Sequence, residues 1–418
     1  MIRFYNGYTY ENGLITRSEV WVDGSVISYV GPEPDELPQF DRQIDLKGDL
    51  IMPGFKNAHT HSAMTFLRSM ADDLPLHDWL FNEVFPREKH LTPENVETFT
   101  KVAFLEYLAN GITACFDMYF EVDVFAELAT RWGFRGIVCG SFMAGNDPDD
   151  LCREWERLRN YSPFVSYQAG FHAEYTASPE LLRFISDFAH DKHAPVFMHN
   201  SETESEVKDC IARIGTTPTR YFDDLGLFDY GGGGFHCVWM SDEDLDIFAR
   251  KGLYAVTNPC SNAKLASGIM PLERMRAKGV KIAIGTDGAA SNNALDFFRE
   301  MYLANVLAKL KEQDASAGSP ELIVKAAVKN GAHAMGLYDC DDIASGKQAD
   351  IIRIDMSRPN MQPVNNILKN LVYSGNPSNV KMTMIAGKIL YENGEFFVGE
   401  DIERIYSECQ MHVAEMTV

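Results

Sequence analysis

Met52-Pro53-Gly54-Phe55-Lys56-Asn57-Ala58-His59-Thr60-His61 is the stretch on which the reading of this chain turns. The apolar residues Leu50 to Met52 lead through a Pro-Gly turn signal into two histidines spaced i, i+2. Side chains alternate faces along a strand, so His59 and His61 point the same way. Two imidazoles on one face can share a metal ion. A pair of solvated histidines at a strand end is the plainer alternative. What later strands carry at their ends decides between the two.

Outward from this stretch, strand, loop and helix repeat. Apolar strand candidates run over Leu50–His61, Ile112–Tyr119, Arg135–Phe142, Phe164–Ala173, Pro195–Ser201, Gly234–Trp239, Leu253–Asn258 and Lys281–Asp287. Helical spacing separates most of them, as in Pro93–Ala109 and Leu272–Lys278. Near-continuous apolar strands alternating with helices indicate a parallel sheet covered on its outer face, and eight of them a closed (β/α)8 barrel of the TIM type. Helices follow over Ala294–Glu312 and Pro320–Met335. Short strands precede the barrel, over Arg3–Tyr10, Ser18–Val22 and Ser25–Val30, with a hairpin signal at Asp23-Gly24. Others follow it, over Ala349–Ile354, Leu371–Ser374, Val380–Ala386 and Lys388–Tyr391, with another hairpin signal at Asn393-Gly394. The expected domains are a metal-dependent barrel over 51–345 and a small β-sandwich built from 1–50 together with 346–418. Residues 403–418 read as a surface helix.

Composition bounds the function. The chain has 418 residues, 45% hydrophobic and 23% charged, and a formal charge of −22. That charge repels nucleic acid and anionic membranes, so neither is expected as a partner. No run is long enough to span a membrane, and no basic-then-apolar leader opens the chain. Eight scattered cysteines without a Cys-x-x-Cys pair suit a reducing cytoplasm.

In such a barrel the C-terminal strand ends converge on one mouth. Of eleven histidines, five fall there: His59, His61, His172, His199 and His236. The eighth strand ends on Asp287, and Glu202 follows His199 by three residues. Three neutral imidazoles, one carboxylate and a water suit Zn²⁺ or another divalent transition metal, and an open position means catalysis. Such an ion lowers the pKa of its water toward neutrality. Phe164–Ala173 contains no lysine or acidic residue to bridge a second ion, so one metal is expected. The remaining histidines read plainly. His77 and His90 are surface or loop residues, His190 and His193 lie at the barrel's inert end, His333 is a core histidine and His412 sits in the tail. No phosphate-binding glycine motif and no His-Glu-x-x-His helix is present.

Pro53-Gly54-Phe55 leading to His59-Thr60-His61, then His199-x-x-Glu202, His236-Cys237 and Gly285-Thr286-Asp287-Gly288, resembles the amidohydrolase superfamily in its cytosine deaminase-like branch. Three further stretches are similar to the 5'-methylthioadenosine/S-adenosylhomocysteine deaminases. They are His59–Leu80 with Asp72-Asp73-Leu74-Pro75 and Trp79-Leu80, Pro259-x-Ser261-Asn262-x-Lys264-Leu265, and Gly288-Ala289-Ala290-Ser291-Asn292-Asn293. The likeness reaches Gly346-Lys347-x-Ala349-Asp350.

The resemblance implies that His59, His61, His199 and Asp287 hold the metal. Asp287 would take a proton from water, Glu202 would deliver it to a ring nitrogen, and His236 would steady the attacking oxygen. Glu88 and His172 match positions near a ribose, although Glu88 also sits in the charged run Arg87-Glu88-Lys89. Trp79 and Ser291 join them on the substrate side. The implied activity is hydrolytic deamination of an adenine nucleoside such as 5'-methylthioadenosine, 5'-deoxyadenosine or adenosine. A guanine, oxopurine or pterin deaminase, an aminotriazine chlorohydrolase and a non-catalytic metal-binding protein are the alternatives. Glu202 favours deamination, because expelling ammonia requires protonation of the ring. By family analogy the chain forms a homo-oligomer.

Overall fold

The computed structural model describes residues 1–70 and 72–416. Eight parallel strands form the barrel: β1 Phe55–Thr60, β2 Ile112–Asp117, β3 Arg135–Cys139, β4 Val165–Ala173, β5 Val196–Asn200, β6 Gly232–His236, β7 Tyr254–Thr257 and β8 Lys281–Ile284. Each pairs with the next in sequence. Helices intervene, so the strands are largely buried on both faces. The ring closes just past β8. There Asn57 of β1 donates to Thr286 Oγ1 at 2.7 Å and accepts from its N–H at 2.8 Å, and Asp287 N–H donates to the His59 carbonyl at 3.0 Å.

Two expected strands are each two strands. Leu50–His61 breaks at Gly54, where a Cβ would lie 2.1 Å from the Thr113 side chain and where the N–H donates to Asp350 O at 3.0 Å. Leu50–Pro53 pairs outside the barrel with Ile351–Ile354 and Tyr8–Glu11, while Phe55–Thr60 enters it. Arg3–Tyr10 likewise divides at Asn6-Gly7 into Ile2–Tyr5 and Tyr8–Glu11, which join different sheets. Leu371–Ser374 is not a strand. It falls in the helix Ile367–Tyr373, which Asn366 caps by accepting from Lys369 N–H at 2.9 Å. Ile367, Leu368, Leu371 and Val372 share that helix's buried side.

Outside the barrel a four-stranded and a seven-stranded sheet face each other. The seven-stranded sheet combines both ends of the chain: Tyr8–Glu11, Leu14–Thr16 and Leu50–Pro53 with Ile351–Ile354, Val380–Ile385, Lys388–Glu392 and Glu395–Phe396. Its strands alternate. Ile51, Ile351, Met382 and Met384 meet Phe4, Val20, Val22 and Ile27 inside the sandwich. Leu50, Met52, Ile352, Ile354 and Val380 face the barrel's core instead. Both hairpin signals are turns of this layer. The helix Ile402–Met416 lies on the barrel helix Pro93–Ala109, with Ile405 and His412 buried. The last two residues of the helix expected over 403–418 lie outside the described residues.

Arg135, at the inert end of β3, locks the layers together. Its Nε and Nη2 reach the two oxygens of Asp350 at 2.5 and 3.0 Å, and Asp350 also accepts from Ala386 N–H at 2.9 Å. Both side chains are buried. Burial favours neutral forms, but the paired charges dominate: the guanidinium is pushed up and the carboxyl held low. Removing one partner strands the other's charge. Asp350→Ala is therefore expected to lower stability by about 3–5 kcal/mol, read as a fall in thermal midpoint. A change within experimental error would show that the pair does not join the layers.

Candidate active site

The expected residues converge at the C-terminal mouth. His59 and His61 close β1, His199 closes β5, His236 ends β6, and Asp287 follows β8. His236 and Asp287 hold positive φ of 70° and 59°, a left-handed backbone uncommon for such residues and frequent at working sites. β4 bulges between Gly170 and Ala173, beside His172.

Nitrogen and oxygen atoms meet at metal-ligand spacing. His61 Nε2 lies 3.2 Å and His59 Nε2 3.6 Å from Asp287 Oδ1. Donors about 2.0–2.1 Å from a tetrahedral zinc stand about 3.3 Å apart. Two overlapping sets could hold an ion, His59 with His61 and Asp287, and His59 with His199 and His236. His59 is fully buried, and neither ring nitrogen has a hydrogen-bond partner. An orphaned buried imidazole costs free energy that a metal bond would recover, so the donors fit the expected ion.

The other rings are aimed by their outer nitrogens. His61 Nδ1 lies 2.5 Å from the Met118 carbonyl and His199 Nδ1 2.7 Å from the His172 carbonyl. A carbonyl only accepts, so Nδ1 carries the proton and Nε2 offers its lone pair inward. His236 Nδ1 meets Asn262 Oδ1 at 2.7 Å in the same way. Phe235 stacks on His59 at 3.9 Å between centroids and makes a dry floor. Burial, with neighbouring imidazoles, holds His59 and His199 well below the usual histidine range, hence neutral. Burial also opposes charge on His61 and Asp287, but their mutual contact wins. It raises the imidazole and holds the carboxyl well below the usual carboxylate range. A cation is wanted there.

Glu202 lines the same cavity as Asp287, buried, accepting from Ser267 Oγ at 2.9 Å and 3.7 Å from His236 Nδ1. Burial, helped by Asp287, raises its carboxyl and so favours the protonated acid. Its backbone is held by Glu206, which accepts from Ser201 and Glu202 N–H at 2.8 and 2.7 Å. Glu206 lies outside the expected set, though Thr203-x-x-Glu206 is a readable capping-box signal. Glu88 reaches the same cavity, accepts from Tyr119 OH at 2.7 Å, and is pushed by burial up to about 7. Tyr119 carries no local signal for that contact.

Trp79 and His172 line the cavity. Ser291 does not. It lies behind Asp287, its Oγ 2.9 Å from Oδ2, in a position that steadies the carboxylate rather than touching substrate. Of the remaining histidines, His333 is half-buried against Asp341 at 2.7 Å, and His77, His90, His190 and His193 are exposed. The outer walls are apolar: Leu76, Leu80, Phe85, Phe120 and Met143. Among the described residues no arginine or lysine lines this cavity. Ser141 and Met143, from the loop after β3, do. Arg153 is exposed and paired with Asp147 and Asp150, and Arg68 is paired with Glu106 and the Asn293 carbonyl.

The chain is similar to known proteins over most of its length. The amidohydrolase family model matches residues 50–390. A 5-methylthioadenosine/S-adenosylhomocysteine deaminase of Thermococcus onnurineus is 37% identical over 402 residues, 94% of each chain. One from Nitratidesulfovibrio vulgaris is 39% identical over 384 residues, 90% of this chain and 87% of that one. A crystal structure of an adenosine deaminase from Xanthomonas campestris with bound zinc superposes with a TM-score of 0.94 at 32% identity, covering 100% of this chain and 99% of that one. Atrazine chlorohydrolase from Arthrobacter aurescens superposes at 0.90 with 20% identity, covering 99% and 100%, which bears on the fold alone. With its histidine and aspartate cluster at the barrel mouth and the family model matched over most of its length, the chain belongs to the amidohydrolase family.

Proposed function

We propose that this protein is a zinc-dependent aminohydrolase that removes the exocyclic amino group of an adenine nucleoside and releases ammonia. 5'-Methylthioadenosine, 5'-deoxyadenosine and adenosine are the candidate substrates. The observation that carries the reading is Glu202, a buried acid with a raised pKa that lines one cavity with the His/Asp cluster, 3.7 Å from His236. In this reading His59, His61, His199 and Asp287 hold one ion, which when bound supplies hydroxide at neutral pH. Asp287 accepts the proton of the attacking water. Glu202 protonates a ring nitrogen, which makes the amino-bearing carbon electrophilic. Nε2 of His236 faces Asp287 Oδ2 at 3.9 Å and steadies the attacking oxygen. Glu88 and His172 receive the sugar, and Trp79 walls the cavity.

The finer parts of the reading have separate support. The imidazole-rich donor set suits zinc. All eight cysteines are free, and no helix among the described residues is long and apolar enough to cross a membrane, which fits the cytoplasm. The charge of −22 disfavours nucleic acid as a partner. A homo-oligomer rests on family analogy alone.

Elemental analysis of active protein is expected to give about one ion per chain. Two tightly held ions, both needed for turnover, would refute the single-metal site. Glu202→Gln is expected to keep the metal and lose about 10²-fold or more in kcat. Metal loss would instead make Glu202 a ligand, and normal turnover would reject the proton transfer.

The preferred 5' group is uncharged. A homocysteine carboxylate calls for an arginine fork, and the loop 140–150 offers three aspartates and no basic residue. Missing one charge-assisted hydrogen bond costs about 1.5–3 kcal/mol, roughly ten- to a hundredfold. So kcat/KM for 5'-methylthioadenosine is expected to exceed that for S-adenosylhomocysteine by that factor. Equal values would overturn the preference and point to Lys89, in the outer recess beyond Phe85 and Met143. Turnover of guanine or a pterin with neither nucleoside reacting would overturn the nucleoside reading.

A further inference from the structure

The two oxygens of Asp287 are held differently. Oδ2 accepts from Ser261 Oγ at 2.6 Å and from Ser291 Oγ at 2.9 Å. Oδ1 accepts from Gly288 N–H at 2.8 Å and turns toward His61 and His59. The serines come from different turns. Ser261 lies in the helix Pro259–Lys264 after β7, and Ser291 in Ala289–Asn292 after β8. Both are buried.

One further side chain spans the two turns. Glu300, on the helix Phe297–Glu312, is fully buried. Its Oε2 accepts from Cys260 N–H at 3.0 Å, one residue before Ser261. Its Oε1 accepts from Asn292 Nδ2 at 2.6 Å, one residue after Ser291. That amide also donates to the Thr286 carbonyl at 2.7 Å, one residue before Asp287. Both partners of Glu300 are donors, each meeting one carboxyl oxygen. Glutamine would set its NH₂ against one of them. A carboxyl buried among neutral partners is costly, and here it holds three segments at fixed spacing.

We propose that Ser261 and Ser291 clamp Oδ2 of Asp287, with Glu300 holding their two turns in register, so that Asp287 presents only Oδ1 to the metal. Ser261, Ser291 and Glu300 are positioning residues. The proposal rests on the reading of Asp287 as a ligand. A carboxylate with one oxygen already accepting two hydroxyls does not rotate to bind through both. Held so, Asp287 would offer an ion one donor atom rather than two. Replacing partners of this kind typically weakens metal binding about 10- to 100-fold.

The test is zinc affinity of the full-length protein, by competition with a chromogenic chelator, with cobalt(II) substitution alongside. The Ser261→Ala/Ser291→Ala double variant is expected to bind zinc about 10- to 100-fold more weakly. Its cobalt form should show weaker visible bands, as coordination rises. Glu300→Gln should move both readouts the same way without touching Asp287. Ser291→Ala alone is a milder form if the double variant folds poorly, and the thermal midpoint of metal-free protein reports any loss of fold. Unchanged affinity and unchanged cobalt bands in the serine variants, with Asp287→Asn weakened, would overturn the clamp alone. Unchanged affinity in Asp287→Asn would overturn the site reading and the clamp with it.

Discussion

The structure depends on keeping an ionised carboxylate and neutral imidazoles together in a space closed to bulk water. Taking Asp287 out of water costs several kcal/mol unless charge and hydrogen bonds offset it. His61 and the serine hydroxyls do so from opposite sides of the carboxylate. Three of the imidazoles, His61, His199 and His236, are fixed in turn by an oxygen behind them: the carbonyls of Met118 and His172, and the amide oxygen of Asn262. Those partners sit on or beside other strands. The site is therefore only as well formed as the barrel's closure, and β8 closes on β1 at His59 itself.

The barrel accepts local cost to aim these groups. Left-handed backbone at Ser201, His236, Cys237 and Asp287 turns each chain sharply at a strand end. Such residues are strained unless their surroundings over-determine them. Glu206 does that for Ser201 by accepting from its N–H, and Asn200 and Ser201 carbonyls receive the N–H groups of Cys237 and Val238. The turn that carries Glu202 is thus fixed by hydrogen bonds to the turn that carries His236.

How much of this was legible follows from what a sequence pattern encodes. Residue type and strand-end position identify His59, His61, His199, His236 and Asp287 directly, because metal donors are few and parallel strands are apolar runs. The pattern does not encode which sheet a strand joins. Leu50–His61 is one apolar run, yet Gly54 sends its halves to different sheets because Thr113 leaves no room for a side chain. Leu371–Ser374 reads as a strand only when its cap, Asn366, is left out of view. Ser291 sits inside a recognisable motif, but whether it faces substrate or Asp287 depends on a turn four residues long. The contact of Tyr119 with Glu88 joins residues 31 apart and leaves no local trace.

The mouth divides into two parts with different origins. The metal end comes from β1, β5, β6 and β8 and is tied by hydrogen bonds into the barrel wall. The far end comes from the segment 76–88 after β1 and the loops after β2 and β3, and its contacts are mainly apolar. Substitutions at Phe85, Phe120 or Met143 would reshape the substrate end without disturbing any bond that aims a ligand. Substitutions at Asn262 or Ser261 would disturb the chemistry whatever the substrate. A fold alone does not fix a reaction, and this separation leaves the substrate end free to vary over a constant cluster. It also explains why the metal motifs identify a family sharply while the substrate must be argued from the walls.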